Sequence, residues 1–329
     1  MASAVAEAFA FGRMWRGMQH PTKLLRSMTP ALEFRDITKE YRGVFGRDRV
    51  RALDRFSLVV QPGEIFGFLG PNGAGKTTAI HLALGFTYPT SGSGSMLGMP
   101  FGHAPTRSRV GFLAENVALY SRTARDVIRF YGALNGMRDP ELARRTREVL
   151  DQVRLSGEAE RNVKKYSRGM LQRIGLAQAI VNDPDLLILD EPTSALDPMA
   201  RVEIRELLLD LRRAGKTVFL SSHLLSEIEV VCDRVAIVKK GKVAQVGRTD
   251  DLLKAGDRME VVARGPIESL FSSRTLNDGL VMVSIAASEQ RSVLERIWNA
   301  GGEVVSINPT RQTLEKVFMQ ATNDGDAEG

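Results

Sequence analysis

The sequence is poor in cysteine and in long apolar runs. Its one cysteine, Cys232, can form neither an internal disulfide nor a paired CxxC metal knuckle, and the apolar stretch from Ile228 to Val238 around it predicts a buried thiol. No stretch approaches the ~18 consecutive apolar residues that span a bilayer. The longest apolar runs, such as Leu186 to Leu189, have the length of buried strands. A role at a membrane would therefore require a membrane-embedded partner.

Aromatic residues are also few, at 6% of the chain, and no basic segment is interleaved with them. Such interleaving is typical of nucleic-acid-binding surfaces, so its absence argues against a nucleic-acid partner. The net charge of +6 fits either a surface for nucleic acid or anionic lipid, or a modest excess of solvated arginines. Because the arginines are spread through the chain, we favour the solvated excess.

The first 30 residues differ in composition from the rest. The segment contains four basic residues, Arg13, Arg16, Lys23 and Arg26, and one acidic residue, Glu7. It lacks the continuous apolar core of a secretory signal. We predict that residues 1–30 form an N-terminal extension. Two interpretations stay open, a loosely ordered tail and a basic arm that lies on a membrane or a partner.

Residues 31–250 alternate short apolar segments with glycine-punctuated helical segments, which is typical of an α/β domain with a largely parallel sheet. The clearest predicted strands are Ala31 to Ile37, Phe56 to Val60, Glu64 to Leu69, Leu186 to Leu189 and Thr217 to Leu220. The last two are apolar without alternation, as in strands that are buried on both faces. Residues 125–155 have helical spacing and many charges, which predicts a helical subdomain at about 116–180.

Past residue 250 the pattern changes to that of a smaller unit. Strands are predicted at 259–263, 280–286 and 303–307, and helices at 288–299 and 313–319. We therefore predict a C-terminal accessory domain of the α+β type at 255–320. An acidic tail at 321–329 follows it.

The segment Gly70-Pro-Asn-Gly-Ala-Gly-Lys-Thr-Thr78 carries the G-x-x-x-x-G-K-[ST] pattern of a phosphate-binding loop. It follows a predicted strand and precedes a helical segment, which is the context that the motif requires. Its glycines let successive N–H groups point at phosphate oxygens, and the following helix adds a positive field. Lys76 can reach the β and γ phosphates, and the Thr77 hydroxyl can ligate Mg²⁺. The predicted nucleotide-binding residues are Gly70, Pro71, Asn72, Gly73, Ala74, Gly75, Lys76, Thr77 and Thr78.

Polar groups end two of the predicted central strands. Asp190 and Glu191 close the strand at 186–189, and His223 follows the strand at 217–220 and two serines. Because such strand ends meet at one edge of a parallel sheet, these groups are expected beside the phosphate loop. Asp190 is predicted to hold Mg²⁺ through water, Glu191 to polarise the attacking water, and His223 to contact the γ phosphate. We assign catalysis to Glu191, His223 and Lys76.

The order of motifs along the chain resembles one family, the ATP-binding cassette (ABC) proteins. After the phosphate loop come Gly111-Phe-Leu-Ala-Glu115, Tyr166-Ser-Arg-Gly-Met170, Asp190-Glu191, Ser194-Ala-Leu-Asp197 and Ser222-His223. The resemblance covers about 31–250 and implies an α/β fold, a P-loop NTPase cassette with a mainly parallel core sheet and a helical subdomain. Here a small α+β C-terminal appendix would be added. The resemblance also implies that the nucleotide is ATP.

The segment Tyr166 to Met170 is similar to the family's signature, Leu-Ser-Gly-Gly-Gln, and keeps its Ser167 and Gly169. In the family the signature acts across a head-to-tail dimer, on ATP held by the other copy. The resemblance therefore implies a homodimer in which Ser167 and Gly169 contact ATP. The altered signature also leaves open a non-hydrolysing regulatory subunit, against which Glu191 and His223 argue.

Two further positions gain a role from the resemblance. Glu115 stands where the family more often has glutamine, and is expected to contact Mg²⁺ or the attacking water. Tyr41 stands where the family stacks an aromatic ring on adenine, with Phe45 as the alternative. Residues 111–120, 127–131 and 313–318 are similar to the drug- and lipid-export branch.

The resemblance implies the ATP-hydrolysing subunit of an exporter. It would work as a homodimer on a separate transmembrane permease, peripheral on the cytoplasmic face of the cell membrane, with residues 116–155 forming the groove that receives a permease helix. The alternative is a soluble ATPase of the same fold that acts on ribosomes or nucleic acid. Those relatives carry a second cassette or a long coiled coil, and this sequence contains neither.

Overall fold

The computed structural model describes residues 29–42, 49–117, 121–194, 196–254, 258–265, 271, 273–276, 279–310 and 312–323. The predicted extension up to residue 28, Phe45, Tyr120, Ala195 and residues 324–329 of the acidic tail lie outside them. The described residues include no helix that is long and apolar enough to cross a membrane. The chain divides into two compact units, Met1–Val246 and Gly247–Gly329.

The first unit contains two sheets. Their strands are β1 (Leu32–Arg42), β2 (Arg49–Val60), β3 (Ile65–Leu69), β4 (Ser91–Met96), β5 (Met99–Pro100), β6 (Val110–Leu113), β7 (Leu186–Asp190), β8 (Thr217–Ser222), β9 (Arg234–Lys239) and β10 (Lys242–Arg248). An antiparallel sheet has the strand order β2-β1-β4-β5, and a larger sheet has the order β10-β9-β3-β8-β7-β6.

Five strands of the larger sheet, from β9 through β6, pair in parallel. Every residue of β3, β7 and β8 is buried, which is why these segments are continuous apolar runs rather than alternating ones. In the core the Phe219 ring packs against the rings of Phe66 and Phe68, with centroids 6.0 and 5.0 Å apart. The predicted α/β fold with a mainly parallel core sheet is confirmed.

Helices flank the sheets of the first unit. They are α1 (Lys76–Ala83), α2 (Ala124–Leu134), α3 (Glu141–Gln152), α4 (Arg168–Ile180), α5 (Pro198–Arg213) and α6 (Leu225–Val231). Three of them begin at a residue whose side chain accepts a first-turn N–H: Thr123 before α2, Ser167 before α4 and Asp197 before α5. These N-caps define where the helices start.

The second unit has a sheet and a core of its own. Its elements are α7 (Thr249–Leu252), β11 (Arg258–Arg264), β12 (Ser273–Thr275), β13 (Leu280–Ala286), α8 (Gln290–Asn299), β14 (Glu303–Pro309) and α9 (Leu314–Asn323). The antiparallel sheet has the order β12-β13-β11-β14. Apolar residues on one face of β11 and β13 pack with Val293 and Ile297 of α8. The unit therefore buries its own apolar surface.

Candidate functional site

The candidate site lies at the carboxyl edge of the parallel sheet. Leu69 of β3 pairs with Ser222 of β8, Asp190 of β7 pairs with Ser221 of β8, and Leu113 of β6 pairs with Leu189 of β7. Because neighbouring strands lie about 4.8 Å apart, the segments that follow these four strands form a row roughly 15 Å long. That row is the phosphate loop, His223, Glu191 and Glu115.

The phosphate loop requires glycine at defined positions. Gly73 and Gly75 have φ angles of +79° and +107°, in the left-handed region that favours glycine. A Cβ atom on Gly75 would lie 2.6 Å from the carbonyl oxygen of Ala52, and one on Gly70 would lie 2.6 Å from that of Val238. The loop is thus packed closely between β2 and β9, and its shape excludes side chains at these positions.

Lys76 begins α1 and is buried. Its ammonium donates to the carbonyl oxygens of Gly70, at 2.6 Å, and Pro71, at 3.4 Å. Both acceptors are neutral carbonyl oxygens and carry no charge to balance that of the ammonium, and a buried cation attracts an anion. Thr77, the next residue of α1, is exposed, and Thr78 is partly buried.

Ser221 links the two carboxylate residues at the end of β7, and sequence reasoning did not assign it a role. The buried Ser221 hydroxyl donates to Asp190 Oδ1 at 2.5 Å, and Ser221 Oγ accepts the Glu191 N–H at 3.2 Å. Glu191 itself has a φ angle of +51°. The only sequence signal for Ser221 is that the apolar strand β8 ends in two serines. Ser221 therefore fixes the position of Asp190 and of the Glu191 backbone.

The side chains of Glu191 and His223, which are neighbours in the row, contact each other. His223 Nδ1 lies 2.7 Å from Glu191 Oε2, and the glutamate side chain is only 10% exposed whereas the histidine is 57% exposed. Burial raises the pKa of the Glu191 carboxyl above its ordinary value, and His223 and Lys76 partly offset the rise. A carboxylate poised in this way can accept a proton more readily than an exposed one.

Two predicted residues lie toward the margins of the site. Glu115 follows β6 and its side chain is exposed. Tyr41 belongs to the antiparallel sheet, where it pairs with Val50, two residues before the Ala52 that packs against the phosphate loop. The Tyr41 ring is 41% exposed, and the Lys39 ammonium lies 4.9 Å from its centroid. The ring thus offers an accessible flat surface rather than a core contact.

The signature segment opens α4. The Ser167 hydroxyl accepts the Met170 N–H at 3.3 Å, while the N–H groups of the first turn otherwise have no intrahelical acceptor. A Cβ atom on Gly169 would lie 3.4 Å from Leu196, in the loop that follows Glu191. Tyr166, where the family has leucine, is buried, and its hydroxyl donates to the Glu158 carbonyl at 2.7 Å. That altered residue is therefore accommodated within the helical subdomain.

A glycine-lined phosphate loop, a buried lysine and two carboxylates at the end of a neighbouring buried strand define a P-loop nucleoside triphosphatase. Residues 53–194 match the ABC transporter family. The chain is 39% identical over 293 residues, 86% of its length, to an uncharacterised ABC transporter ATP-binding protein of Nostoc sp., of which 87% is covered. The chain belongs to the ABC transporter ATP-binding proteins.

Two further similarities bear on activity. The chain is 38% identical to the Nod factor export ATP-binding protein I of Cupriavidus metallidurans, over 71% of this chain and 77% of that protein. A dimeric ATP-binding cassette, solved in a post-hydrolysis state with ADP and Pi, is 25% identical, with a TM-score of 0.62 over 66% of this chain and 98% of that one. The chain is an ATP-binding and ATP-hydrolysing subunit of an ABC transporter.

Proposed function

We propose that this chain powers export by closing with a second copy of itself around two ATP molecules, on a separate membrane-embedded permease. It would lie on the inner face of the cell membrane, held there by that permease. The row of phosphate loop, His223 and Glu191 along one sheet edge carries the proposal. The Nod factor export protein and the dimeric cassette, as similar proteins, support the direction and the pairing.

In this proposal the phosphate loop and Lys76 hold the triphosphate, and Tyr41 stacks on the adenine. Ser167 and Gly169 of one copy bind the γ phosphate held by the other copy. The Ser167 oxygen already accepts the Met170 N–H, so its own O–H remains available as a donor to a phosphate oxygen. ATP then bridges the two copies, and dimer affinity depends on the γ phosphate.

The residues at this edge fit Mg²⁺. Magnesium prefers hydroxyl, carboxylate, water and phosphate oxygens and rarely uses an all-protein cage. Thr77 and Asp190 supply a hydroxyl and a carboxylate oxygen at this sheet edge, and phosphate and water oxygens would complete the site. Thr77 and Asp190 would hold the ion, with Glu115 near it. The ion would neutralise charge on the β and γ phosphates.

Glu191 is the proposed general base. Its Oε2 is bound to His223, and its raised pKa lets it take a proton from a water positioned at the γ phosphate. His223 holds the carboxylate in place and faces the solvent side, where it can contact the phosphate that leaves. General-base assistance of this kind contributes about 10² to 10⁴ in rate.

An apolar groove in the helical subdomain fits a permease segment. A cavity is lined by Arg122, which precedes α2, and by Val127, Phe130 and Tyr131 of α2. Phe130 is 44% exposed and Leu134, one turn on, is 66% exposed. Exposed apolar side chains next to a groove are typical of protein-binding surfaces.

The first experiment compares the wild type with Glu191→Gln. We expect the ATPase rate of the variant to be at least about 10²-fold lower than that of the wild type, because the general base is absent. We also expect the variant to form a dimer with Mg-ATP in sedimentation experiments. Glu295→Gln, which alters an exposed glutamate of the second unit, is the control and should behave as wild type. Unchanged hydrolysis would exclude Glu191 as the base.

The partner is identified by purifying the tagged chain from detergent-solubilised membranes. We expect an integral membrane protein to co-purify in stoichiometric amount. Recovery of ribosomes or nucleic acid without such a protein would favour the soluble ATPase alternative and contradict the transport role.

A further inference from the structure

An ion-pair cluster joins the helical subdomain to α5, the helix that follows the Glu191 loop. Glu203 of α5 is partly buried, with a side chain 21% exposed. One of its carboxylate oxygens forms an ion pair with Arg173 of α4, and the other lies 2.8 Å from Arg154, just beyond α3. Arg154 also approaches Glu206 at 3.5 Å. A single carboxylate thus connects α4, α5 and the end of α3.

Arg154 occupies a backbone conformation that is unfavourable for arginine. Its φ angle is +55°, and its N–H donates to the Asp151 carbonyl at 2.8 Å, closing the last turn of α3. Glycine is the common residue at such a left-handed helix end because it has no Cβ. Backbone strain of this kind persists where the surrounding structure holds the residue, and it clusters at functional positions. An arginine at this position makes the ion pairs with Glu203 and Glu206, which a glycine could not make.

The ion pairs bridge a region that is not filled by close packing. A cleft of about 200 Å³ lies between the end of α3 and α5, with Gln152 and Arg154 on one side and Leu207 and Leu211 among the residues of the other. Because the cleft separates the end of α3 from α5 here, the Arg154 ion pairs with Glu203 and Glu206 are contacts that connect the two elements across it.

The two bridged helices both begin at the site. α4 starts beyond Ser167, and α5 starts beyond Asp197, which caps it. Between Glu191 and Asp197, Ser194 Oγ donates to the Glu191 carbonyl at 3.2 Å, and Leu196 lies against Gly169. The orientation of α4 relative to α5 therefore sets where Ser167 stands relative to the chain's own Glu191 loop.

We propose that Arg154 is a positioning residue, which acts through Glu203 to hold α4 on α5 and to present Ser167 to the ATP of the second copy. The proposal rests on the two-copy arrangement proposed above. Exposed ion pairs contribute little to global stability. Here the ion pairs hold the surface around Ser167 in its binding geometry before the second copy arrives. This raises the affinity of the ATP-bound dimer because fewer side chains have to be ordered on association.

The test uses the full chain in the Glu191→Gln background, which isolates dimer formation from hydrolysis. Arg154→Asn removes the cation and keeps a residue that tolerates the left-handed conformation, whereas Arg154→Lys keeps the charge. Arg144→Asn is the matched control: Arg144 is 59% exposed against 60% for Arg154, and its ion pair with Glu148 lies within α3. Sedimentation measures the dimer dissociation constant in Mg-ATP, a fluorescent ATP analogue reports the affinity of the monomer, and a thermal melt gives Tm.

We expect Arg154→Asn to weaken the ATP-bound dimer about two- to fivefold, the range of an exposed ion pair. Arg154→Lys should recover most of the loss, and Arg144→Asn should leave the dimer unchanged. The monomer's affinity for the analogue and its Tm should stay as in the background, because neither the phosphate loop nor the core is altered.

Equal dimer affinities for Arg154→Asn and its control would overturn the positioning role. A fall in both Tm and analogue affinity, without rescue by lysine, would also overturn it, since that pattern is a folding defect. If the Glu191→Gln background alone stays monomeric in Mg-ATP, the two-copy arrangement itself fails and the role of Arg154 falls with it.

Discussion

At the residue scale, Glu191 shows a conflict between stability and activity. Its carboxyl is buried, and burial raises its pKa in the folded state above the ordinary value of 4.5. Between these two pKa values the folded chain binds more protons than the unfolded chain, so the free energy of unfolding falls as pH rises through that window. At neutral pH the ionised, buried carboxylate therefore destabilises the fold.

This conflict predicts that Glu191→Gln stabilises the protein while it inactivates it. At pH 7.5 we expect Tm to rise by about 2–4 °C, the shift that ~1 kcal/mol produces in a domain of this size. The gain should vanish below pH 4.5, where the wild-type carboxyl is protonated. Thermal melts from pH 4 to 8 check it, with Glu295→Gln as the exposed control. A lower Tm for Glu191→Gln at pH 7.5 would mean that the contact with His223 outweighs the burial.

Some site residues belong to short sequence motifs, whereas the role of others depends on which strands or helices pair in the fold. The phosphate loop and the Asp190-Glu191 pair could be predicted because each is a short motif next to an apolar strand. Ser221 could not, because its contact with Asp190 depends on the register of β8 against β7. The contacts of Arg154 could not be predicted either, because its partners Glu203 and Glu206 on α5 are about 50 residues further along the chain.

At the element scale, the N-cap of α4 combines a structural and a functional role in Ser167. Loss of the cap costs about 1 kcal/mol, and loss of the hydroxyl also removes the proposed donor to the γ phosphate. Ser167→Ala should therefore lower both Tm and the ATPase rate.

Ser167→Asp separates the two roles. Aspartate caps helices as well as serine does, so Tm should stay within about 1 °C of wild type. Its negative charge would face the γ phosphate, so the ATPase rate should fall at least about tenfold. Thermal melts and steady-state hydrolysis measure the two effects. An active Ser167→Asp variant would show that this helix end does not contact the triphosphate.

Elements were missed where tertiary pairing overrides local preference. The segment Ser91–Met96 is rich in glycine and serine, yet it forms β4 because it pairs with β1. A Cβ atom on Gly94 would lie 2.1 Å from the Phe101 ring, so that position requires glycine. The apolar stretch from Ile228 to Val238 holds the end of α6 and most of β9, and periodicity alone cannot divide a run without turn signals. The predicted burial of Cys232 within it is confirmed.

At the scale of the whole molecule, the two units are each self-sufficient in core and sheet. Phe34, Phe56 and Phe68 anchor the core of the first unit, while Val261 and Val283 belong to a separate core in the second. All proposed ATP-contacting residues lie in the first unit. The similarity to the Nostoc protein extends over 86% of this chain, which is more than the first unit alone and so includes part of the second unit.

We therefore predict that a chain ending at Arg248, which keeps β10 complete, folds and hydrolyses ATP. Because its core and its site are intact, kcat without a permease should stay within about twofold of the full chain, a change worth less than ~0.5 kcal/mol in barrier. Its thermal melt should show one cooperative transition, because one hydrophobic core joins the two sheets of the first unit. Circular dichroism and steady-state hydrolysis measure both. A truncated chain that is folded but inactive would show that the second unit supports the site, and one that fails to fold would show that the two cores depend on each other.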